Sequence, residues 1–280
     1  MTLLYGKPVA EEVTAKIKKL IESTGITPGL AVILVGENNA SHLYVKLKEK
    51  AAQDIGIKFE KFLFNSTVKE KELLDLINIL NDRRDINGII VQLPLPKELN
   101  AKGVISQIDP RKDVDGFHFV TMKNFLDGYK KECPVFPRAV VELLYSSKEN
   151  INGKKGIVLV NSDIFGKIMK QALLNEGVKA DYLLFKNIDD NKEKIKEAEI
   201  VVTVCGVPNL IKSEMVNDDA IIIDGGISYL DGNVVGDVER ISVESKVKFL
   251  SPVPGGVGPV TVATLLARVA EVAERELEKN

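Results

Sequence analysis

The sequence predicts an α/β protein of two lobes around a cleft, and three observations lead there. Short β-branched apolar runs alternate with helical stretches along the whole chain, and strands separated by helices build βαβ units with a mainly parallel sheet. The alternation runs once, stops at a loop-rich stretch, "IDPRKDVDGFHF", and then runs again. The length of 280 residues suits two domains, and a hydrophobic fraction of 45% supplies their cores. Ligands of such proteins usually bind in the cleft.

Each element has a local reason. A helix is expected near 7–24, followed by "LAVILVG", an apolar run that ends in glycine and reads as a buried strand. The next helix has Ser41 as a plausible N-cap and Gly56 placed to stop it. At roughly 100° per residue, its inward stripe reads as Leu43, Leu47, Ala51 and Ile55. "KFEKFLF" and "GIIVQLP" are strands, with a helix near 68–81 between them. A further helix is expected to start near Pro137, since proline is tolerated in a first turn.

In the second half "KGIVLV", "ADYLLF", "EIVVTVC" and "AIIIDGG" read as strands. "SDIFGKIMKQALLNEG" is a turn and helix after the first of them, and a short helical segment separates the last two. The chain closes with a helix from near Thr261, carrying Leu265, Val269 and Val272 on one side. No repeat of solenoid period and no low-complexity linker occurs.

Composition narrows the function classes. A net charge of −2 gives no basic footprint, so nucleic acid is not an expected partner. Cys133 and Cys205 form no CxxC pair, which suits a reducing, cytoplasmic setting. His42 and His118 have no companions at metal-ligand spacing, so no metal is expected. No apolar run approaches the ~18 residues of a membrane span, and the N-terminus does not read as a signal peptide.

Several stretches could carry chemistry. "SHLYVKLKEK" sets Tyr44 among Lys46, Lys48 and Lys50. Tyr44 and Lys48 are helical neighbours, Lys46 points away from the inward stripe, and Lys50 borders the stripe's other edge. The helix geometry alone excludes only Lys46. Tyr44 favours Lys48, because an aromatic and an amine at a pocket rim can hold a flat substrate and move protons. Solvated lysine remains the ordinary state of such residues. Gln92 falls at the carboxyl end of a strand, the side that faces ligands in parallel sheets, although an ordinary strand end would look the same. Asp113 and Asp115 in "DVDG" suit acid–base work, metal binding or a plain turn. Ser251 to Gly258 hold two prolines and three glycines, a stiff loop that lets backbone approach a ligand. Thr261 follows at a helix start, where free N–H groups favour anionic or polar groups. "VLVNSDIFGK" joins strand to helix where a dinucleotide's pyrophosphate would lie, yet keeps only Gly166 of a GxGxxG pattern.

Taken in order, "VGENNASHLYVKLKEKAAQDIGI", "GIIVQLPLP", "DPRKDVDGFH", "VVGDVE" and "SPVPGGVGPVTVATLL" resemble the bifunctional methylenetetrahydrofolate dehydrogenase/cyclohydrolase (FolD) family over nearly the whole chain. That resemblance implies a folate-binding catalytic domain at 1–120 completed by the terminal helix at 262–280, and a Rossmann-type NAD(P)-binding domain at 121–261. It implies oxidation of 5,10-methylenetetrahydrofolate with NADP, then hydrolysis of the methenyl product to 10-formyltetrahydrofolate. Lys48 would be the proton-transfer residue, Gln92 its tuning partner, and Asp115 an acceptor for the pterin. Tyr44 would stack on the aminobenzoyl group, and Val91, Leu93, Pro254, Gly255, Gly256, Val257 and Gly258 would line the folate cleft. Val160, Asn161, Ser162, Ile164, Gly166, Lys186, Ile227 and Thr261 would contact the dinucleotide. The family also suggests a homodimer paired through the cofactor lobes.

Departures from the family pattern gather on the cofactor side. Its G-R/A-S turn is Val160, Asn161 and Ser162, so a branched side chain stands where backbone usually nears the dinucleotide and a phosphate-gripping arginine is gone. The usual proline of "VGxP" is Ile168, PCTP is "PVFP" with Val135 and Phe136, and "DVGI" is "DGGI". NADP is preferred to NAD because "ADYLLFKN" ends in Lys186 and Asn187 rather than the acid common in NAD sites. The alternatives are a cyclohydrolase with weak or lost dehydrogenase activity, a two-lobe dehydrogenase acting on an amino or hydroxy acid, and a non-catalytic folate- or nucleotide-binding regulator.

Overall fold

The computed structural model describes residues 1–278. Lys279 and Asn280, which the sequence assigns to the end of the last helix, lie outside the described residues. The chain begins with β1 (Thr2–Leu3) and α1 (Gly6–Thr24). Then come β2 (Gly29–Val35), α2 (Asn39–Asp54), β3 (Lys58–Phe64), α3 (Glu70–Asp82) and β4 (Gly88–Val91), with short helices α4 (Ala101–Ser106) and α5 (Phe119–Leu126). The second alternation comprises α6 (Val135–Tyr145), β5 (Lys155–Val160), α7 (Asp163–Asn175), β6 (Lys179–Leu184), α8 (Lys192–Lys196), β7 (Ile200–Val204) and β8 (Ile221–Asp224). It ends with β9 (Ser228–Leu230), β10 (Asn233–Val235), α9 (Arg240–Val243), β11 (Phe249–Leu250) and α10 (Val257–Leu277).

Contacts divide the chain into two compact units, one of Met1–Ala10 with Gly128–Thr261 and one of Glu11–Asp127 with Val262–Asn280. Sequence order alone would group the first ten residues with the first lobe. Strand pairing carries them to the other unit, because Thr2 and Leu3 run parallel to Phe249 and Leu250. A two-residue strand cannot satisfy its own N–H groups, and those of Thr2 and Leu4 reach the Lys248 and Leu250 carbonyls.

In the unit carrying residues 11–127, three parallel strands lie in the order β3-β2-β4. All seven residues of β2 are buried, as expected for a central strand covered on both faces. Beyond β4 the 109–115 segment extends the sheet: the Ile89 N–H donates to the Lys112 carbonyl, and Asp113 bridges Ile89 in parallel. Lys112 itself is buried and donates to the carbonyls of Leu80, Asn81 and Arg83. One ammonium therefore satisfies the carboxyl end of α3 and pins the segment that leads to Asp115. The same unit includes α10 from Val262, which buries Leu265, Leu266, Val269 and Val272.

The other unit holds a six-stranded sheet, β1-β11-β8-β7-β5-β6, parallel throughout. Strand order reverses between β5 and β7, the topological switch point where ligands of doubly wound sheets bind.

Three local expectations change. Leu43 and Leu47 do not face inward: they are 60% and 51% exposed, and the buried face of α2 is Ser41, Val45, Lys48 and Ala52. That set is just as regularly spaced, but a lysine and a serine hide it from a hydrophobic reading. The N-cap is Asn38, whose side chain accepts from the Ser41 N–H, rather than Ser41. α10 begins at Val257, so Thr261 lies one turn inside the helix and its hydroxyl donates to the Val257 carbonyl.

Candidate active site

Lys48 is the one lysine of α2 that the fold removes from water, at 5% exposure; Lys46 and Lys50 are exposed. Its Nζ lies 4.8 Å from the centre of the Tyr44 ring, one helical turn away, and donates to Gln92 Oε1 at 3.0 Å. Gln92 follows the last residue of β4, and its Nε2 donates to the Leu93 carbonyl at 2.7 Å. This second bond fixes the amide orientation, so only oxygen faces the lysine. A neutral acceptor leaves the amine uncompensated, and burial pulls Lys48 below the usual lysine value, with the Asp115 charge pulling back.

Asp115 completes the group. Burial raises its carboxyl above the ordinary range, against the charges of Lys48 and Arg268 and helped by that of Asp113. Burial and the Asp115 charge also push the Tyr44 phenol upward, so Tyr44 stays neutral. Arg268 was not among the sequence candidates. It is buried on α10, and the signal was present as one arginine inside the apolar run "TLLARVA".

The two aspartates of "DVDG" have separate work. Asp113 is buried, with Oδ1 accepting from the Gly116 N–H and Oδ2 from the His118 N–H. His118 in turn caps α5 by accepting from the Val120 N–H. Asp113 thus shapes the turn that presents Asp115. Val91 is buried beside Gln92, while Leu93 is partly exposed.

The remaining candidates lie on the other unit. Gly256 and Val257 are buried, Pro254 is exposed, and Gly255 and Gly258 are half-buried. Val160, the last residue of β5, is 0% exposed and registers between Leu184 and Val204, so its branch packs into the sheet core. Asn161 spans the switch point, its Nδ2 donating to the Cys205 carbonyl at 3.3 Å. Ser162 caps α7 without engaging its side chain, and Ile164, Lys186 and Ile227 are exposed. Gly166 is required by close packing, because a Cβ there would stand 2.4 Å from the Tyr182 ring. Asp163 in the first turn of α7 is matched by Lys167 and the Tyr182 hydroxyl, which hold its carboxyl low. A helix start at a switch point, a glycine for tight helix–strand contact and a lysine after the neighbouring strand together fit a phosphorylated dinucleotide.

Below these strand ends, two buried carboxylates knit the loops. Asp224 accepts from the N–H groups of Gly226, Asp237 and Val238. Asp237 accepts from Thr203 Oγ1 and from the N–H groups of Cys205 and Val207. Among the described residues no cluster of His, Cys, Asp and Glu could hold a metal ion.

Replacing Asp113 by alanine strands two buried N–H groups, at about 1–3 kcal/mol each, so Asp113→Ala should lower the melting temperature clearly. Asp115→Ala should leave it within a degree or two, since its carboxylate pays for burial without a backbone partner. Thermal unfolding of both variants checks this, and equal losses would contradict the division.

Comparison with known proteins agrees over both halves. Residues 4–115 match the tetrahydrofolate dehydrogenase/cyclohydrolase catalytic domain, and residues 134–277 match the NAD(P)-binding domain of the same enzymes. The bifunctional protein FolD of Nautilia profundicola is 41% identical over 278 residues, covering 98% of each chain. The crystal structure of the Campylobacter jejuni bifunctional FolD superposes with a TM-score of 0.93 at 37% identity, covering 99% of both chains. The Trypanosoma brucei FolD structure, complexed with NADP cofactor and inhibitor, gives 0.90 at 29% identity, covering 99% of this chain and 98% of that one. With both domain types in their order and a full-length relative at this identity, the chain belongs to the tetrahydrofolate dehydrogenase/cyclohydrolase family.

Proposed function

We propose that the chain oxidises 5,10-methylenetetrahydrofolate to the 5,10-methenyl form with NADP and hydrolyses that product to 10-formyltetrahydrofolate. The observation that carries this reading is the buried amine of Lys48, held by Gln92 and Tyr44 and answered by Asp115, in a chain of a bifunctional family. NADP, when bound, accepts the hydride from the methylene carbon. The chain's own residues handle protons and orientation. Lys48 accepts a proton from water as it adds to the methenyl carbon and returns one to the ring nitrogen as the C–N bond breaks; one proton is released overall. A lysine with a lowered pKa suits both transfers near neutral pH. Asp115 accepts hydrogen bonds from the pterin, Tyr44 stacks on the aminobenzoyl ring, and Val91, Leu93 and residues 254–258 supply further folate contacts.

On the second unit, Ser162, Ile164, Gly166, Ile227 and Thr261 contact the dinucleotide, and exposed Lys186 after β6 meets the 2′-phosphate, while NAD remains a possible second cofactor. Asn161, in place of a phosphate-gripping arginine, favours a second reading in which hydrolysis persists beside weak oxidation. A cytoplasmic setting accords with two free thiols, Cys133 and Cys205, and no described helix long and apolar enough to cross a membrane. A homodimer paired through the second units is supported by the β9–β10 hairpin, which pairs with no other strand and exposes Tyr229 and Leu230.

Four measurements test this reading. Lys48→Met should abolish methenyl-folate hydrolysis, while Lys46→Met and Lys50→Met stay within a few-fold of wild type. Lysine acts as a base when neutral, so the rate rises as pH passes its pKa; Gln92→Glu adds a charge that raises that pKa and should move the limb to higher pH. A shift to lower pH would contradict the tuning role. Titrating NADP and NAD against wild type and Lys186→Ala should give a lower NADP preference in the variant, and an unchanged ratio would assign the phosphate to another group. Sedimentation should find a dimer that Tyr229→Glu dissociates; a wild-type monomer would remove the pairing.

A further inference from the structure

Phe136 and Gly225 of the second unit meet at one point. Gly225 directly follows β8, and its N–H donates to the Thr203 carbonyl of β7 at 2.8 Å. A Cβ on Gly225 would stand 2.5 Å from Cζ of Phe136, and 3.3 Å from the Thr203 oxygen and from Val204 Cγ2. The ring therefore occupies the space that any side chain at 225 would need. It leans on Phe165, with centroids 5.5 Å apart and planes at 58°. Phe136 comes from the first turn of α6 and Phe165 from the first turn of α7. Gly225 and Phe165 both follow the carboxyl ends of parallel strands, β8 and β5, on the side where doubly wound sheets bind ligands. Both rings are only half-buried.

We propose that Phe136, seated in the space left by Gly225 and braced by Phe165, is a specificity-determining residue of the dinucleotide site, its ring forming an apolar wall on which a planar ring of the dinucleotide packs. This extends the reading of the second unit as the NADP-binding one. Phe136 and Gly225 act as a single device: the ring makes the contact, and the glycine lets the ring lie there. A methyl group at 225 harms binding mainly through the ring it displaces, so most of its effect is lost once the ring is gone.

The test is a double-mutant cycle on the full chain, with NADP dissociation constants from calorimetry and melting temperatures without nucleotide. Phe136→Ala should weaken NADP about tenfold, in line with the worth of an aromatic contact. Gly225→Ala should weaken it about tenfold with Phe136 present and less than twofold in the Phe136→Ala background. Equal effects of Gly225→Ala in both backgrounds, no effect in either, or a coupling seen in melting temperature but not in affinity would overturn the proposal. Where Gly225→Ala fails to fold, Phe136→Leu carries the test: it keeps the apolar volume without the flat face and should bind NADP several-fold more weakly, and an unchanged constant overturns the assignment. NADP binding to none of the proteins would overturn the dinucleotide reading itself, whereas binding without coupling overturns only the role of Phe136.

Discussion

A lysine amine kept out of water is the constraint on which the catalytic unit depends. Burying a cation costs several kcal/mol even after relaxation. The Gln92 oxygen returns roughly 1.5–3 kcal/mol, and a desolvated aromatic face about 2 kcal/mol. These returns approach the cost without clearly exceeding it, which explains why Lys48 stays bound in place while its charged form is disfavoured. A carboxylate in place of Gln92 would have closed the gap and left a permanently charged lysine. The neutral amide is therefore as much a part of the chemistry as the amine. Asp115 acts more weakly from its turn, and Arg268 on α10, like Lys48, favours its charged form against the cost of burial.

The surrounding architecture keeps that arrangement rigid at little cost to the site. Lys112 closes the end of α3 and fixes the strand-like segment beside β4, and Asp113 then closes the turn with two backbone bonds. Only after both are satisfied does Asp115 project with its carboxylate uncommitted to backbone. In the second unit the same strategy recurs with Asp224 and Asp237, buried carboxylates that gather the N–H groups of the loops after β7 and β8. Burial pushes Asp224 up to about 7 in spite of three backbone donors.

Much of this was legible in the sequence, for physical reasons that vary by element. Central strands announce themselves because both faces are covered, so β2, β5, β7 and β8 read as unbroken apolar runs. Motif order exposed Lys48, Gln92 and Asp115. The inward face of α2 did not show, since the residue that matters most on it is a lysine, and hydrophobic spacing pointed to Leu43 and Leu47 instead. The β9–β10 hairpin was passed over although Asp231 and Gly232, both at positive φ, form the two-residue turn that such a hairpin favours. Val160 ends a covered strand with its branch in the packing, a placement that the motif pattern does not show.

The two units differ in how recognition is built. On the catalytic side the proposed chemistry rests on a handful of side chains, Tyr44, Lys48, Gln92 and Asp115, that each present one chemical group. On the dinucleotide side much of the binding capacity belongs to backbone: a helix start, a switch point between β5 and β7, and a glycine that lets α7 lie against Tyr182. In the proposed site, side chains such as Lys186 adjust affinity and selectivity around that backbone frame. Phe136 and Gly225 are a matched pair, the volume that the ring takes at one position being vacated at the other. Sequence comparison position by position reads such a pair as two losses; packing reads it as one rearrangement.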